Sequence, residues 1–296
     1  MIRQKLVTTA LNKLKQRDSW FLCDYTVNPY EGCSCNCQYC YVRGSKYGEN
    51  MEEGLVIKNN LPDILEKQLQ NRAKKNQYGI VVIGSATDAY IPYEKEWKMT
   101  SKILELLLKY RFPVFISTKC NLIMRDIELL KEIDKEAILP EDLKITLGRG
   151  AILSVSLSSL DPIISQTLEP GALPPLKRLQ LLRQLKEEGF LAGVNAIPAL
   201  PFISDTEEEL AKMIVSAKKH NADYILVGGL TLFGNEAADS KTLYYKFLQR
   251  HRPELLPKYQ ALYGNYSSPS QAYQEQLRIK SDKLCTMHEI RNRIIK

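Results

Sequence analysis

Four cysteines crowd one short stretch, Asn28-Pro29-Tyr30-Glu31-Gly32-Cys33-Ser34-Cys35-Asn36-Cys37-Gln38-Tyr39-Cys40-Tyr41. Thiolates are soft ligands that suit iron–sulfur clusters and zinc. The spacing of Cys33, Cys37 and Cys40, three residues and then two between them, lets one loop wrap a corner of a cluster with three thiolates. A fourth iron then stays open to an external ligand. A cluster that only carries electrons normally takes four cysteines, so three at this spacing imply a reactive centre. Cys35 offers a fourth thiol, but its place between Cys33 and Cys37 makes ligation by all four awkward on one cubane. It reads as a bystander or an occasional competing ligand. The rival chemistry is structural zinc, which usually pairs two close-spaced cysteine knuckles across a longer stretch. Here the distant cysteines, Cys23, Cys120 and Cys285, are single, and the spacing favours the cluster.

The bulk composition agrees with such a centre in a reducing compartment. Seven cysteines in 296 residues, an odd count, do not suggest a disulfide framework. No apolar run approaches the roughly 20 residues that cross a bilayer. The start, Met1-Ile2-Arg3-Gln4-Lys5-Leu6, carries no secretion-type apolar segment, so the expectation is a cytoplasmic protein without a membrane anchor. The formal net charge of +7, from 41 Lys plus Arg against 34 Asp plus Glu, suits an anionic partner such as nucleic acid. It equally suits a mildly basic soluble protein. Pairs such as Lys74-Lys75 and Lys218-Lys219 read as solvated helix faces.

The elements that must position the cysteine loop follow from periodicity. Short buried runs (Asp24 to Val27, Ile80 to Ile83, Pro113 to Ser117, Ala151 to Ser156, Leu191 to Ile197, Tyr224 to Val227) read as strands. Between them lie helical patterns at Leu61 to Lys74, Lys95 to Tyr110, Asp126 to Ile133, Pro175 to Glu188 and Thr206 to His220. About six strand–helix units imply a parallel sheet with right-handed crossovers. The expected fold class is α/β, a partial (β/α)6 TIM-type barrel, with a flat doubly wound sheet as the alternative. Residues 134–150 read as a long irregular connection. The expected organisation is an N-terminal lead over 1–23, a barrel over 24–235 and a helical C-terminal extension over 236–296. In such folds the loops after the strands' C-terminal ends carry the chemistry. Those loops run from Asn28 to Tyr41, Gly84 to Tyr93, Thr118 to Asn121, Ser156 to Asp161, Asn195 to Asp205 and Gly228 to Asn235.

At the cysteine loop the sequence resembles the radical S-adenosylmethionine (SAM) superfamily, whose signature includes an aromatic residue, here Tyr39, before the last cysteine. The longer string from Asn28 to Tyr41 resembles the branch that contains spore photoproduct lyase. Further matches are Thr87-Asp88-Ala89-Tyr90 with Pro92 and Glu94, Thr118-Lys119, Arg125-Asp126, Ser156 with Asp161, Leu168-Glu169-Pro170-Gly171, and Pro198 with Pro201. The resemblance spans roughly residues 24–235. It implies a four-iron four-sulfur cluster on Cys33, Cys37 and Cys40, with SAM chelating the open iron through its amino and carboxylate groups. It implies reductive cleavage of SAM to a 5′-deoxyadenosyl radical that abstracts hydrogen from substrate, in a lyase- or transferase-type enzyme. An external electron donor of flavodoxin or ferredoxin type goes with that chemistry.

The same resemblance assigns Lys119 and Ser156 to the cofactor carboxylate, and Thr87 and Asp88 to the pocket wall. Glu169 is expected to face the adenosine or only to start a helix, with Asn195 of similar standing and Tyr39 packed beside the cluster. For Ser and Asp the plain alternative is a strand-end cap or turn bond. One departure stands out: Gly84-Ser85-Ala86-Thr87-Asp88 holds no thiol where spore photoproduct lyase needs a cysteine hydrogen donor, which argues against thymine-dimer repair by that route. Cys120 reads as a half-buried core cysteine. The leading substrate expectation is a nucleic-acid lesion or base, with Tyr263 and Tyr266 as stacking aromatics. The alternatives are a peptide or small metabolite, or a non-enzymatic metal-binding protein.

Overall fold

The computed structural model describes residues 2–48 and 54–295. Its strands, in chain order, are β1 (Arg3–Lys5), β2 (Asn12–Lys13), β3 (Cys23–Val27), β4 (Tyr30–Glu31), β5 (Val56–Lys58), β6 (Ile80–Ile83), β7 (Val114–Thr118), β8 (Ala151–Ser156), β9 (Leu191–Ala196) and β10 (Ile225–Val227). The helices are α1 (Leu61–Lys74), α2 (Glu94–Trp97), α3 (Met99–Lys109), α4 (Ile127–Glu136), α5 (Lys144–Leu147), α6 (Pro162–Leu168), α7 (Pro175–Glu187), α8 (Glu207–Lys219), α9 (Ser240–His251), α10 (Leu256–Tyr263) and α11 (Gln271–Met287).

The main sheet has the order β10-β9-β8-β7-β6-β3-β2. From β3 to β10 every neighbouring pair is parallel, and each strand is added on the same side as the last. A doubly wound sheet reverses its order at a switch point; this one never does, which excludes the flat alternative. The side chains agree, because alternate residues of one strand enter two different cores. Val81, Ile83, Val114, Ile116, Leu153, Val155, Ala192, Val194, Ile225 and Val227 pack in one cluster with Leu65, Ile103, Leu130, Leu182 and Ile214 of the helices. Ile80, Val82, Phe115, Ile152, Leu191, Tyr224 and Leu226 pack in a second cluster, with Leu143, Leu147 and Ile294. The second cluster is the lumen of a partial barrel, filled at the strands' beginnings.

Three local features differ from the periodicity reading. The helical pattern from Lys95 to Tyr110 is broken into α2 and α3 at Lys98, whose φ is +50°. The break lets Thr100 N donate to the buried Glu94 carboxylate (3.1 Å) and Thr100 Oγ1 donate to Ala89 O (2.6 Å). The connection over 134–150 is not wholly irregular, since α5 and a 3-10 turn at Glu141–Leu143 carry Leu143 and Leu147 into the lumen. Finally, β1, β5 and β4 form a small separate sheet. Runs of two or three residues are too short for alternation to be read, yet β4 pairs with β5 immediately before Gly32-Cys33 and fixes how the chain enters the cysteine loop.

Candidate functional site

The C-terminal strand ends converge on one cavity of about 560 Å³. Cys33, Cys37 and Cys40 line it from the cysteine loop, together with Cys35, Tyr39 and Tyr41. Thr87 and Asp88 line it from the loop after β6, and Lys119, Ser156 and Asn195 from the ends of β7, β8 and β9. The rest of the wall is mostly apolar, with Val82, Phe115, Ile197 and Leu230 among its members. Of the residues singled out by sequence, Glu169 does not line the cavity; it lies behind the wall, 2% exposed.

The cysteine loop is held from outside by its own backbone. Gln38 N donates to Leu168 O (2.8 Å) and Gly171 N to Cys35 O (3.1 Å). A Cβ at residue 171 would lie 1.8 Å from Ser34 O, so only glycine lets the two segments touch. Burial pushes the Cys37 and Cys40 thiols above the ordinary range, and a hydrogen bond with Cys35 followed by burial does the same for Cys33. Metal ligation must therefore displace protons that the free thiols hold firmly.

Asp88 and Thr87 brace the loop after β6. Gly84, at φ +83°, makes the turn, and Asn28 pins it through Nδ2 to Ser85 Oγ (2.9 Å) and Oδ1 from Ala86 N (2.8 Å). Thr87 Oγ1 donates to Gly32 O (2.7 Å), at the foot of Cys33. The Asp88 carboxylate accepts from Tyr90 N (2.8 Å), Thr118 Oγ1 (2.7 Å) and Lys119 N (2.7 Å), and Asp88 N donates to Cys33 Sγ (3.4 Å). Asp88 thus ties three loops together, two through its carboxylate and the cysteine loop through its amide.

Lys119 is the cation that faces the cavity. Its Nζ donates to Ser156 Oγ (2.8 Å) and lies 3.9 Å from Glu169, with the side chain 15% exposed. Burial alone would lower its pKa, but Cys37 and Glu169 outweigh that and raise it, so it stays protonated. Glu169 is engaged more closely elsewhere. It forms a short contact with Arg178 and another with the Tyr39 hydroxyl, and it accepts from Ser165 Oγ (3.2 Å) and Ser158 Oγ (3.3 Å). Burial would raise its pKa; the charges of Lys119 and Arg178 and the hydrogen bonds overcome this and hold it below the usual carboxylate range. Asn195 Nδ2 donates to Ser117 Oγ (3.2 Å), while Asn195 Oδ1 is buried with no hydrogen-bond partner in the protein.

Arg178 is the residue that sequence reading missed. It is fully buried on α7 and donates to Leu173 O (2.6 Å), Ser156 O (2.9 Å) and Ser165 Oγ (3.1 Å) as well as to Glu169. A signal for it exists: Arg178 precedes Leu181, Leu182 and Leu185 by three, four and seven positions, so it lies on the helix's buried stripe. Tyr263 also departs from expectation. It is buried with its hydroxyl on Leu230 O (2.8 Å) and has no free stacking face. Tyr266 is exposed and lines a separate shallow depression together with residues 261–264 and 267–270.

Comparison with known proteins agrees with this geometry. An uncharacterized protein of Mycobacterium tuberculosis is 29% identical over 281 residues, which cover 92% of this chain and 76% of the relative. One from Methanocaldococcus jannaschii is 29% identical over 187 residues, covering 62% and 63%. Among solved structures, spore photoproduct lyase with bound AdoMet and dinucleoside spore photoproduct superposes with a TM-score of 0.67 at 14% identity, covering 97% of this chain and 79% of that one. Streptococcus suis SuiB bound to the precursor peptide SuiA gives 0.54 at 14% identity, covering 89% and 46%. These two establish the fold as that of a partial barrel. The family model described as the Radical SAM superfamily matches residues 27–214, more than half of the chain, and with the three-cysteine loop inside that match, the chain belongs to the radical SAM superfamily.

Proposed function

We propose that this chain is an enzyme that uses Cys33, Cys37 and Cys40 to hold the superfamily's four-iron four-sulfur cluster, and Lys119 with Ser156 to seat the carboxylate of SAM. The observation that carries the reading is the excess of cations around Glu169. Glu169 lies against Arg178, and Lys119 remains as a second cation facing the same cavity as the three thiols. A half-buried ammonium needs an anionic partner, and the carboxylate of SAM is one. The donor set fits the cofactors in two further respects. Three soft thiol ligands leave one iron for SAM, and the unpaired Asn195 Oδ1 needs a donor that a ribose hydroxyl or an amino group supplies.

When bound, the cluster and SAM supply an electron and a radical that removes a hydrogen atom from substrate. The protein's residues do the positioning. Asp88 holds the β6 and β7 loops and its amide faces Cys33. Arg178 and Glu169 fix Tyr39 against the cluster loop and Lys119 at the cavity wall. The mostly apolar wall offers water few hydrogen-bond partners beside the reacting atoms. An external one-electron donor is needed, and we assign it to the flavodoxin or ferredoxin class. Among the described residues no helix is long and apolar enough to cross a membrane, and the seven free cysteines fit the reducing cytoplasm.

For the substrate, the reading with most support is a nucleic-acid base or lesion. Tyr41 lines the cavity and is 43% exposed, with its hydroxyl donating to Ser85 O (2.6 Å). Farther along the same loop Lys46 lies over the exposed Tyr47 ring at 5.1 Å. An exposed aromatic at the cavity and an aromatic–cationic pair farther along its loop, on a chain of net charge +7, suit a stacked base. The mostly apolar wall favours the second reading, a peptide side chain or small metabolite.

The first test is anaerobic reconstitution with iron and sulfide, reduction in the presence of SAM, and assay for 5′-deoxyadenosine. Product that vanishes in Cys33→Ala, Cys37→Ala and Cys40→Ala supports the proposal. Zinc uptake with no cluster overturns it. Single-stranded oligonucleotide binding should weaken steeply with added salt; salt-independent or absent binding turns the substrate toward the second reading.

A further inference from the structure

The cavity contains thiol chemistry that the cofactors do not use. Cys35 Sγ and Cys120 Sγ lie 4.0 Å apart, on two different loops, and both side chains are buried. Cys35 belongs to the cluster loop and lines the cavity. Cys120 follows Lys119 on the loop after β7.

Packing, not chance proximity, brings the two thiols together. Cys35 O accepts from Gly171 N at the point where a side chain on residue 171 would collide with Ser34. Cys120 N donates to Thr118 Oγ1 (3.0 Å), and that hydroxyl is itself tied to Asp88. Asp88 Oδ2 accepts from Cys35 Sγ (3.8 Å). The ligand atoms of Cys35, Asp88 and Cys120 all lie within 4.8 Å of one another. A metal is nevertheless a poor occupant, because both Asp88 oxygens are already committed to Tyr90 N, Thr118 Oγ1 and Lys119 N. What is left is a dithiol whose partners face each other across two loops.

We propose that Cys35 and Cys120 form an oxidisable pair, a modification site for small two-electron oxidants of the disulfide class that enter through the cofactor cavity. One thiol attacks the small disulfide, expels one molecule of its thiol and leaves a mixed disulfide. The second thiol displaces the other half. In sum, two S–H bonds and one S–S bond break, one Cys35–Cys120 bond forms, and two small thiols leave. The sulfurs must close from 4.0 Å to about 2.05 Å. Cys35 sits between Cys33 and Cys37, so closure draws the cluster loop toward the Lys119 loop. The oxidised chain loses the ability to take up iron and recovers it on reduction. This consequence rests on the cluster reading above; the cross-link itself does not.

The test treats two forms of the full chain with 2-hydroxyethyl disulfide under anaerobic conditions. One is the cluster-loaded wild type and the other is Cys33→Ala/Cys37→Ala/Cys40→Ala. Each is then alkylated, digested and mapped by mass spectrometry. The expected product in both is a pair of peptides joined through Cys35 and Cys120, two hydrogens lighter than their sum and separated by dithiothreitol. The Cys120→Ser chain should give no joined pair, and it should keep its iron uptake after the same treatment while the wild-type apoprotein loses it until reduced. Separate recovery of alkylated Cys35 and Cys120 overturns the proposal. So does a bond from Cys35 to Cys33, its other thiol neighbour, in place of Cys120. Loss of iron uptake in Cys120→Ser as complete as in the wild type overturns the switch. Because the triple variant cannot bind a cluster, its cross-link reports on the dithiol even if the cluster reading fails.

Discussion

Among the described residues two buried ionic clusters, one around Glu94 and one around Glu169, are built from the same parts. Each has a buried glutamate and an arginine, and in each a tyrosine hydroxyl makes a short contact to the carboxylate, Tyr30 to Glu94 and Tyr39 to Glu169. Arg125 donates to Glu94 (2.8 Å) and Asp126 (2.7 Å), so the first cluster holds one cation among two carboxylates and ties the loops after β6 and β7 together. The second holds two cations, Arg178 and Lys119, around one carboxylate, and one of those cations faces the cavity. The fold alone accounts for the first cluster. Both clusters carry one unmatched charge, but only the second turns its charge, the Lys119 ammonium, into the cavity, and that placement is what separates a ligand site from a brace.

The sharpest way to break this comparison is to remove one cation from each. Lys119→Met should weaken SAM binding by about 2–5 kcal/mol, as expected for loss of one partner of a buried charge pair, and abolish measurable 5′-deoxyadenosine formation. Its thermal midpoint should fall less than that of Arg125→Met, because Glu169 keeps Arg178. Arg125→Met should do the reverse. It leaves Glu94 and Asp126 without their cation and should cost up to about 3 kcal/mol in denaturant unfolding, discounted because the arginine is partly exposed. SAM cleavage per folded molecule should be kept. Equal losses of binding in both variants would remove the distinction.

Glu169→Gln should combine the two effects. It leaves Lys119 and Arg178 buried without a counter-charge, a change worth about 3–5 kcal/mol of stability, and it should also lower iron-dependent SAM cleavage, because Tyr39 and Lys119 lose their anchor. The tyrosines give a smaller, cleaner contrast. Tyr30→Phe and Tyr39→Phe each remove a hydrogen bond to a buried carboxylate, and each should cost about 1.5–3 kcal/mol by chemical denaturation. Only Tyr39→Phe should raise the SAM concentration needed for half-maximal cleavage.

The contrast also explains what the sequence could reveal. The six parallel strands were legible because each is a short buried run bounded by helical spacing, and the cysteine loop because its ligand chemistry depends on local spacing. Lys119, Ser156 and Asn195 were legible as strand ends, the positions where parallel folds place their chemistry. Glu169 was legible as a position and not as an arrangement, since its partners Tyr39, Ser158 and Arg178 come from three separate segments. Arg178 was overlooked because a lone arginine on a helix is usually solvated, and its place on the buried Leu181, Leu182 and Leu185 stripe was the one mark against that. The Cys35–Cys120 contact joins residues 85 positions apart, across two loops whose approach depends on the Gly171 packing. The break at Lys98 and the small three-stranded sheet escaped because both are set by tertiary hydrogen bonds, not by periodicity.

The smallest expected effect is on acid stability, and it tests whether Lys119 acts on Glu169 at all. The folded-state pKa of Glu169 lies below its unfolded value because the cations outweigh burial. Its contribution to stability is therefore fully present above the unfolded carboxylate range, near about 4.3, and is lost as the pH falls through the lower folded value. Unfolding free energy measured by denaturant titration at a series of pH values should thus drop in the wild type as acid is added below that range. In Glu169→Gln that part of the drop should be missing. Lys119 contributes the largest single attractive effect on Glu169, so in Lys119→Met the folded value moves up toward the unfolded one, and the acid loss should be smaller and end at a higher pH than in wild type. An unchanged acid profile in Lys119→Met would mean that Arg178 alone sets the charge of Glu169. The lysine would then be no part of the buried cluster, and its case as the cofactor's cation would rest on Ser156 and the cavity alone.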